Sequence, residues 1–160
     1  MQPLAVTSIH AREQVVVTSL VKGTAFWAVW RDDQLHMSQE LLWSKGALFE
    51  DLTTLKRFPG LKLHGVFWTG MSEDDNGQYL ACFTRYFDVY SEPADRWLDM
   101  DGLDSVLYEL ELPKVPVLYY GPWSPDVLKP EWGEVVVRPR VERVDANGER
   151  AIFMARAGRG

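Results

Sequence analysis

Alternating apolar and polar positions predict a chain built mostly of short β-strands. The first run, residues 15–21, is rich in β-branched residues, which favour strands. A second run at residues 25–31 is followed by Asp32-Asp33 and a short return at residues 35–38, which is the pattern of a β-hairpin. Further strands are predicted at residues 61–69, 79–90, 113–120, 134–140 and 151–155. Polar turns are predicted at residues 72–77 and 145–148.

Helical spacing occurs in two places between these strands. Apolar residues at every third position predict a helix over residues 49–58, which Pro59-Gly60 ends. An apolar face with spacings of three and four predicts a second helix over residues 99–110. Residues 40–48 fit either a short helix or an ordered loop, and Ser124 before Pro125 fits the start of a one-turn helix. The pattern therefore predicts an α+β fold of mostly antiparallel strands with two or three helices.

The composition is that of one globular domain, since 160 residues with 46% hydrophobic and 25% charged side chains can bury a single core. The formal net charge is −6, so a basic face for nucleic acid would have to be local. The one positive concentration is a C-terminal group of arginines: Arg138, Arg140, Arg143, Arg150, Arg156 and Arg159.

Cysteine and histidine usage argues against a metal site and against disulfides. Cys82 is the only cysteine, which excludes a disulfide framework and a thiolate zinc cluster and fits a reducing compartment. His10, His36 and His64 lack the spacing of metal ligands. The N-terminal residues do not have the pattern of a secretory leader, and no apolar run approaches the length of a membrane span. We therefore predict a cytoplasmic protein with no membrane partner.

A family resemblance is carried by residues 86–139. This segment contains FDVY at residues 87–90, VPVLYYGPWSP at residues 115–125 and VVVR at residues 135–138. It resembles the RNA ligases that join broken RNA through a lysine–AMP intermediate, and weaker similarity extends over most of the chain. The resemblance implies an ATP-grasp-like nucleotidyltransferase core of antiparallel sheets, forming a single domain over residues 1–160 with no appended domain.

The family's chemistry needs residues that this sequence has replaced. A lysine attacks the α-phosphorus of ATP, carboxylates bind the ribose and the metal ions, and further lysines contact the phosphates. In the matching motifs, Leu20 stands at the position of the nucleophile and Val66 at a glutamate position. Trp132, or Gly133 in another alignment, stands at the metal-side glutamate, and Phe153 stands at a lysine. An arginine expected within residues 38–40 is also absent.

The resemblance thus implies a nucleotide pocket whose remnants have become largely apolar. The matching positions are Leu20, Lys22, Gly23, Gly65, Phe87, Trp132, Arg138 and Phe153. Phe87 is the candidate ring for stacking on adenine. We expect the apolar replacements to converge and partly to fill the pocket; they are Leu20, Val66, Trp132 and Phe153.

Three functions are compatible with these features. The first is a catalytically inactive domain with no cofactor that acts as a binding, inhibitory or structural accessory protein, with another protein as its partner; small degenerate domains of this kind suit a phage or a mobile element. The second is a divergent nucleotidyltransferase that uses Lys22 and Glu134 with ATP and Mg²⁺. The third is a module that binds a nucleotide or RNA, with Arg138, Arg140 and Arg156 contacting phosphate.

Overall fold

A computed structural model describes residues 1–38 and 52–157 of the protein. The segment predicted as a short helix or loop, residues 40–48, lies outside the described residues. So do the first part of the predicted helix at residues 49–58 and most of the motif at residues 38–40.

The described residues form ten strands, one α-helix and three 3₁₀ helices. The strands are β1 Gln2–Pro3, β2 Gln14–Ser19, β3 Thr24–Arg31, β4 Gln34–Met37, β5 Leu61–Asp74, β6 Gly77–Ser91, β7 Arg96–Trp97, β8 Val117–Pro122, β9 Glu134–Pro139 and β10 Phe153–Arg156. The α-helix, α1, is Met100–Leu110, and the 3₁₀ helices are Leu52–Arg57, Pro125–Val127 and Pro130–Trp132. None of the helices in the described ranges is long and apolar enough to span a membrane.

The strands form two five-stranded sheets, in the orders β1-β10-β9-β2-β8 and β4-β3-β5-β6-β7. Among these strands the pairing of β1 with β10 is parallel and the others are antiparallel. The predicted α+β fold of antiparallel sheets is therefore confirmed.

The chain divides into two compact units, each containing one sheet. The first unit consists of Met1–Leu20, Asp99–Asp101 and Val115–Gly160, and the second consists of Val21–Leu98 and Gly102–Lys114. One boundary between the units thus falls directly after Leu20.

One face of the first sheet forms the core of the first unit. Side chains alternate between the two faces of a strand, so the valines at alternate positions of β2 and β9 point to the same side. Trp123, which follows β8, completes this layer with residues from the neighbouring loops. The cluster consists of Ile9, Val15, Val17, Trp123, Val135, Val137, Ala151 and Phe153.

The second unit has its own buried apolar residues, which come from its sheet, from a 3₁₀ helix and from α1. In the sheet, the ring of Phe26 meets the rings of Phe67 and Tyr86 edge to face, at centroid distances of 5.9 and 5.8 Å. The fully buried members outside the sheet are Leu52, Leu55 and Leu103. The spacing of three that predicted a helix at residues 49–58 appears in the described part as a 3₁₀ helix, which has three residues per turn.

Local turn chemistry behaves largely as the sequence indicates. Asp32 and Asp33 both have positive φ angles, of 54° and 58°, and close the predicted hairpin between β3 and β4. The Ser124 side chain accepts a hydrogen bond from the N–H of Asp126, which confirms the predicted cap. The turn predicted at residues 72–77 is shorter than expected, because β5 and β6 continue to pair as far as Asp74 and Gly77.

Candidate functional site

The position matched to the catalytic lysine lies at the edge of a small cavity in the first unit. Leu20 directly follows β2, and its N–H donates to the carbonyl of Glu134 at 3.1 Å. Glu134 pairs in turn with Arg156 in the ladder between β9 and β10. Leu20, Glu134 and Arg156 therefore lie side by side and line a cavity of about 190 Å³ together with Pro3, Met154 and Ala155.

The lining of this cavity does not fit the family's chemistry. Its charged members among the described residues are Glu134 and Arg156. Leucine has no lone pair with which to attack phosphorus, and a guanidinium stays protonated in proteins and is not a nucleophile. Elsewhere in the described ranges, no group of three or more His, Cys, Asp or Glu side chains could hold a metal ion.

Phe153 does not lie with Leu20, which corrects the expectation that the apolar replacements converge. Phe153 pairs with Val137 and Val137 pairs with Val17, so all three point into the core of the first unit. Side chains alternate between the two faces of an extended chain, and Leu20 is an odd number of residues after Val17. Leu20 therefore points to the opposite face of the sheet. The prediction that Phe153 lines the pocket beside Leu20 is therefore wrong.

Trp132 also belongs with the core of the first unit and not with Leu20. It packs partly buried against the core cluster, and the ammonium of Lys129 lies 5.8 Å from the centre of its ring. Val66 is a residue of the second unit, where it pairs with Ala25 and Arg85 and is buried. Lys22, the fallback nucleophile, is likewise a residue of the second unit.

The two glycines assigned to the pocket are required by packing within the second unit. A Cβ atom at Gly23 would lie 2.5 Å from the carbonyl oxygen of Phe67. A Cβ atom at Gly65 would lie 2.8 Å from the ring of Tyr86 and 2.9 Å from the carbonyl oxygen of Arg85. Both distances are too short for any side chain, so these glycines are explained without reference to a nucleotide.

Phe87 occupies a β-bulge. His64 pairs with Asp88 and Gly65 pairs with Tyr86, so Phe87 is the extra residue between them on β6. A bulge of this kind re-aims the side chain that it carries. Phe87 is half-buried, whereas Tyr86 and Asp88 on either side are buried. The role of Phe87 as a stacking ring stays a prediction.

Four of the C-terminal arginines within the described residues are in ion pairs: Arg138, Arg140, Arg143 and Arg150. Arg138 is only 3% exposed, and its guanidinium lies 3.4 Å from Glu142, which also accepts a hydrogen bond from Arg150. Arg140 donates to both carboxylate oxygens of Asp101. Burial argues against a phosphate contact at Arg138, whereas contact of phosphate with Arg140 and Arg156 stays a prediction.

Arg143 makes a pair with both carboxylate oxygens of Glu13. Its guanidinium donates to the two carboxylate oxygens at 2.7 and 2.8 Å. These bonds, helped by the N–H of His10, hold the pKa of Glu13 below its ordinary value of 4.5 although partial burial opposes them. The pair joins the segment before β2 to the segment after β9.

We expect this pair to make the first unit sensitive to acid. The pKa of Glu13 is lower in the folded state than in the unfolded state, so its ionised carboxylate stabilises the fold. This stabilisation is complete when the pH is above the unfolded-state pKa, and it is lost as the pH falls through the folded-state pKa. Urea unfolding of the wild type and Glu13→Gln between about pH 3 and pH 7 measures this contribution. The wild type should lose more stability than the variant below about pH 4.5. Parallel stability curves would contradict the assignment.

The architecture defines a class of protein: two antiparallel five-stranded sheets with one α-helix in the described chain form an RNA ligase-like nucleotidyltransferase fold. An archaeal ATP-dependent RNA ligase superposes with a TM-score of 0.71 at 14% identity, over 98% of this chain and 47% of that one. A mutant of the Naegleria gruberi RNA ligase, solved with ATP and Mn, superposes with a TM-score of 0.63 at 12% identity, over 92% of this chain and 50% of that one.

These comparisons support the fold. The chain spans about half the length of the solved ligases that it resembles. No protein-family model matches the sequence, and no curated protein matches it either. The predicted resemblance to the RNA ligase core is confirmed at the level of fold, and at identities this low the activity has to be argued from the residues.

Proposed function

We propose that this chain is an RNA ligase-like domain that does not transfer adenylate and that acts by binding another protein, as an inhibitory or structural accessory. The proposal is supported by Leu20, which the resemblance matches to the nucleophile position and which lines a cavity that offers no amine among the described residues. The origin in a phage or mobile element stays a prediction.

The chemistry of the ligase reaction explains why the proposal depends on the identity of residue 20. In the ligases, a lysine amine forms a bond to the α-phosphorus of ATP while the bond to pyrophosphate breaks, and the adenylate then leaves the lysine for RNA. Without a nucleophile there is no covalent intermediate from which the second step can start. The apolar side chains of Leu20 and Met154 also offer no hydrogen-bond donor to a phosphate, so that Arg156 is the cation of this cavity among the described residues.

A binding role is supported by what the chain retains. The two sheets, the packing glycines and the buried ion pair of Arg138 with Glu142 maintain the fold. The positions matched to catalytic groups have instead become aliphatic or aromatic. Loss of charged catalytic groups with retention of the fold is expected for a domain that works through its surface.

A labelling experiment tests the proposal. The purified chain is incubated with α-labelled ATP and Mg²⁺ or Mn²⁺, and the denatured protein is examined for bound label. We expect no protein–AMP adduct, because Leu20 cannot be adenylylated. An active ATP-dependent RNA ligase in the same reaction shows that the conditions support labelling.

The variant Lys22→Ala separates the proposal from the alternative enzyme. If the wild type became labelled and Lys22→Ala did not, Lys22 would be the nucleophile and the proposal would be overturned. Label that remains on Lys22→Ala after denaturation in detergent at neutral pH would also overturn it, because another residue would then be adenylylated. Unlabelled wild type supports the proposal.

A further inference from the structure

Among the described residues, one edge of the first sheet is only partly covered. β1 pairs with β10 in parallel at Gln2 and Pro3, and the ladder ends with the bond from the N–H of Leu4 to the carbonyl of Met154, at 2.8 Å. The chain then turns away, with the N–H of Ala5 donating to the Ser8 hydroxyl at 2.9 Å. β10 continues beyond this point to Arg156, so its last residues extend past the end of β1.

The backbone of Arg156 faces this open edge. The carbonyls of Ile152 and Met154 accept from Gln2 and Leu4, so even-numbered residues of β10 direct their backbone groups towards β1. Because this direction alternates along a strand, the N–H and C=O of Arg156 face the same side. An exposed edge of this kind is a template for an added strand.

A cavity of about 620 Å³ lies where a longer edge strand would run. Its lining comes from three segments: the turn at residues 3–6, the group Trp123, Pro125 and Leu128, and residues 154–156 of β10. This volume is within the range of ligand and peptide pockets. The side chains are mostly apolar, and Val6 and Met154 are exposed.

Among the described residues that line the larger cavity, the one charged side chain is that of Arg156. Arg156 lines both the larger and the smaller cavity and is exposed. Within the described ranges its side chain makes no ion pair, in contrast to Arg138, Arg140 and Arg143. Glu134 stands opposite it in the ladder but lines only the smaller cavity. The cavity thus presents one cation beside an apolar surface.

We propose that this edge cavity, defined by residues 3–6, Trp123, Pro125, Leu128 and residues 154–156, binds an extended segment of a partner protein that carries one acidic side chain among apolar ones. The segment adds as a strand to the open edge of β10, alternate apolar side chains enter the cavity, and the carboxylate pairs with Arg156. This inference rests on the proposed binding function and names the partner's chemistry. A nucleic acid fits less well, because one cation in an apolar cavity cannot follow a phosphate backbone.

Selection from a displayed library of random peptides, about twelve residues long, tests the inference. The peptides enriched on the wild-type chain are synthesised, and their affinities are measured by fluorescence anisotropy. We expect them to alternate apolar residues with one Asp or Glu. Arg156→Glu should weaken their binding by about tenfold or more, because it replaces an attraction with a repulsion.

Two further variants define the site. Ala5→Trp places a large ring at the cavity from an exposed position and should also weaken binding by about tenfold. Arg96→Glu makes the same charge change on the second unit and should leave the affinity unchanged. Thermal unfolding of each variant shows that the fold is retained.

The other outcomes overturn the inference in distinguishable ways. Peptides that bind equally well to Arg156→Glu and Ala5→Trp, or no enriched peptide at all, would remove the edge cavity as the site. Single-stranded RNA that binds wild type and is lost in Arg156→Glu would assign the cation to phosphate instead. A dimer in solution that Ala5→Trp dissociates would make a second copy the occupant. None of these results produces a protein–AMP adduct, so the proposed lack of catalysis stands or falls separately.

Discussion

Phe153→Lys is expected to unfold the first unit without restoring any chemistry. The substitution introduces the residue that the family has at the matched position, but Phe153 is 1% exposed and lies in the core cluster. Removing a buried phenylalanine ring costs about 3–5 kcal/mol, and burying an ammonium adds several kcal/mol more. A domain of this size is stable by about 5–15 kcal/mol, so little folded protein should remain.

Met154→Lys is the matched control. Met154 is the next residue on β10, but it points to the other face and is 41% exposed. Its substitution should therefore change the free energy of unfolding by less than about 1 kcal/mol. Urea unfolding followed by tryptophan fluorescence measures both variants. Equal stability of the two lysine variants would contradict the burial of Phe153, and a less stable Met154→Lys would show that the faces of β10 are assigned the wrong way round.

Glu142→Gln is expected to lower the free energy of unfolding by about 3 kcal/mol. Glu142 is the carboxylate shared by Arg138 and Arg150, and the side chains of Arg138 and Glu142 are 4% and 23% exposed. Neutralising it removes the negative charge that offsets a buried guanidinium, which has few water molecules to replace that interaction. Equilibrium unfolding in urea at neutral pH measures the change.

Asp101→Asn provides the comparison on the surface. Asp101 pairs with Arg140 through two hydrogen bonds, but its side chain is 55% exposed. Exposed pairs contribute about 0–1 kcal/mol, so this variant should remain close to the wild type in stability. If Asp101→Asn proved the more damaging change, the buried pair of Arg138 would not have the structural role assigned to it.

The predictions for Phe153→Lys and Glu142→Gln bear on how the resemblance to the RNA ligases is interpreted. Arg138 is in the most family-like part of the sequence, and its position indicates a phosphate ligand. In the folded chain it is a buried structural cation paired with Glu142. Arg156, in a weaker part of the resemblance, is the arginine that faces a cavity. Motif position therefore identifies the fold better than it identifies the groups available to a ligand.

Local features could be predicted from the residues alone. The β-branched run before Ser19, the Asp32-Asp33 hairpin and the helix that begins at Met100 all appear close to their expected bounds. Hydrophobic period and turn chemistry act over a few neighbouring residues, so a sequence carries them directly. The overall class of fold follows from their order.

Only the folded chain shows which face of a strand a side chain occupies, which residues pair and which segments enclose a cavity. Shifting a strand register by one residue exchanges its two faces, which is why Phe153 was expected in the pocket and lies in the core. The bulge that carries Phe87 is a property of two strands together. The pair of Arg143 with Glu13 and the edge cavity join segments distant in the chain. Such contacts have no local periodicity, so the sequence predicted the ligase-like core and tertiary packing selected which side chains remain available at its surface.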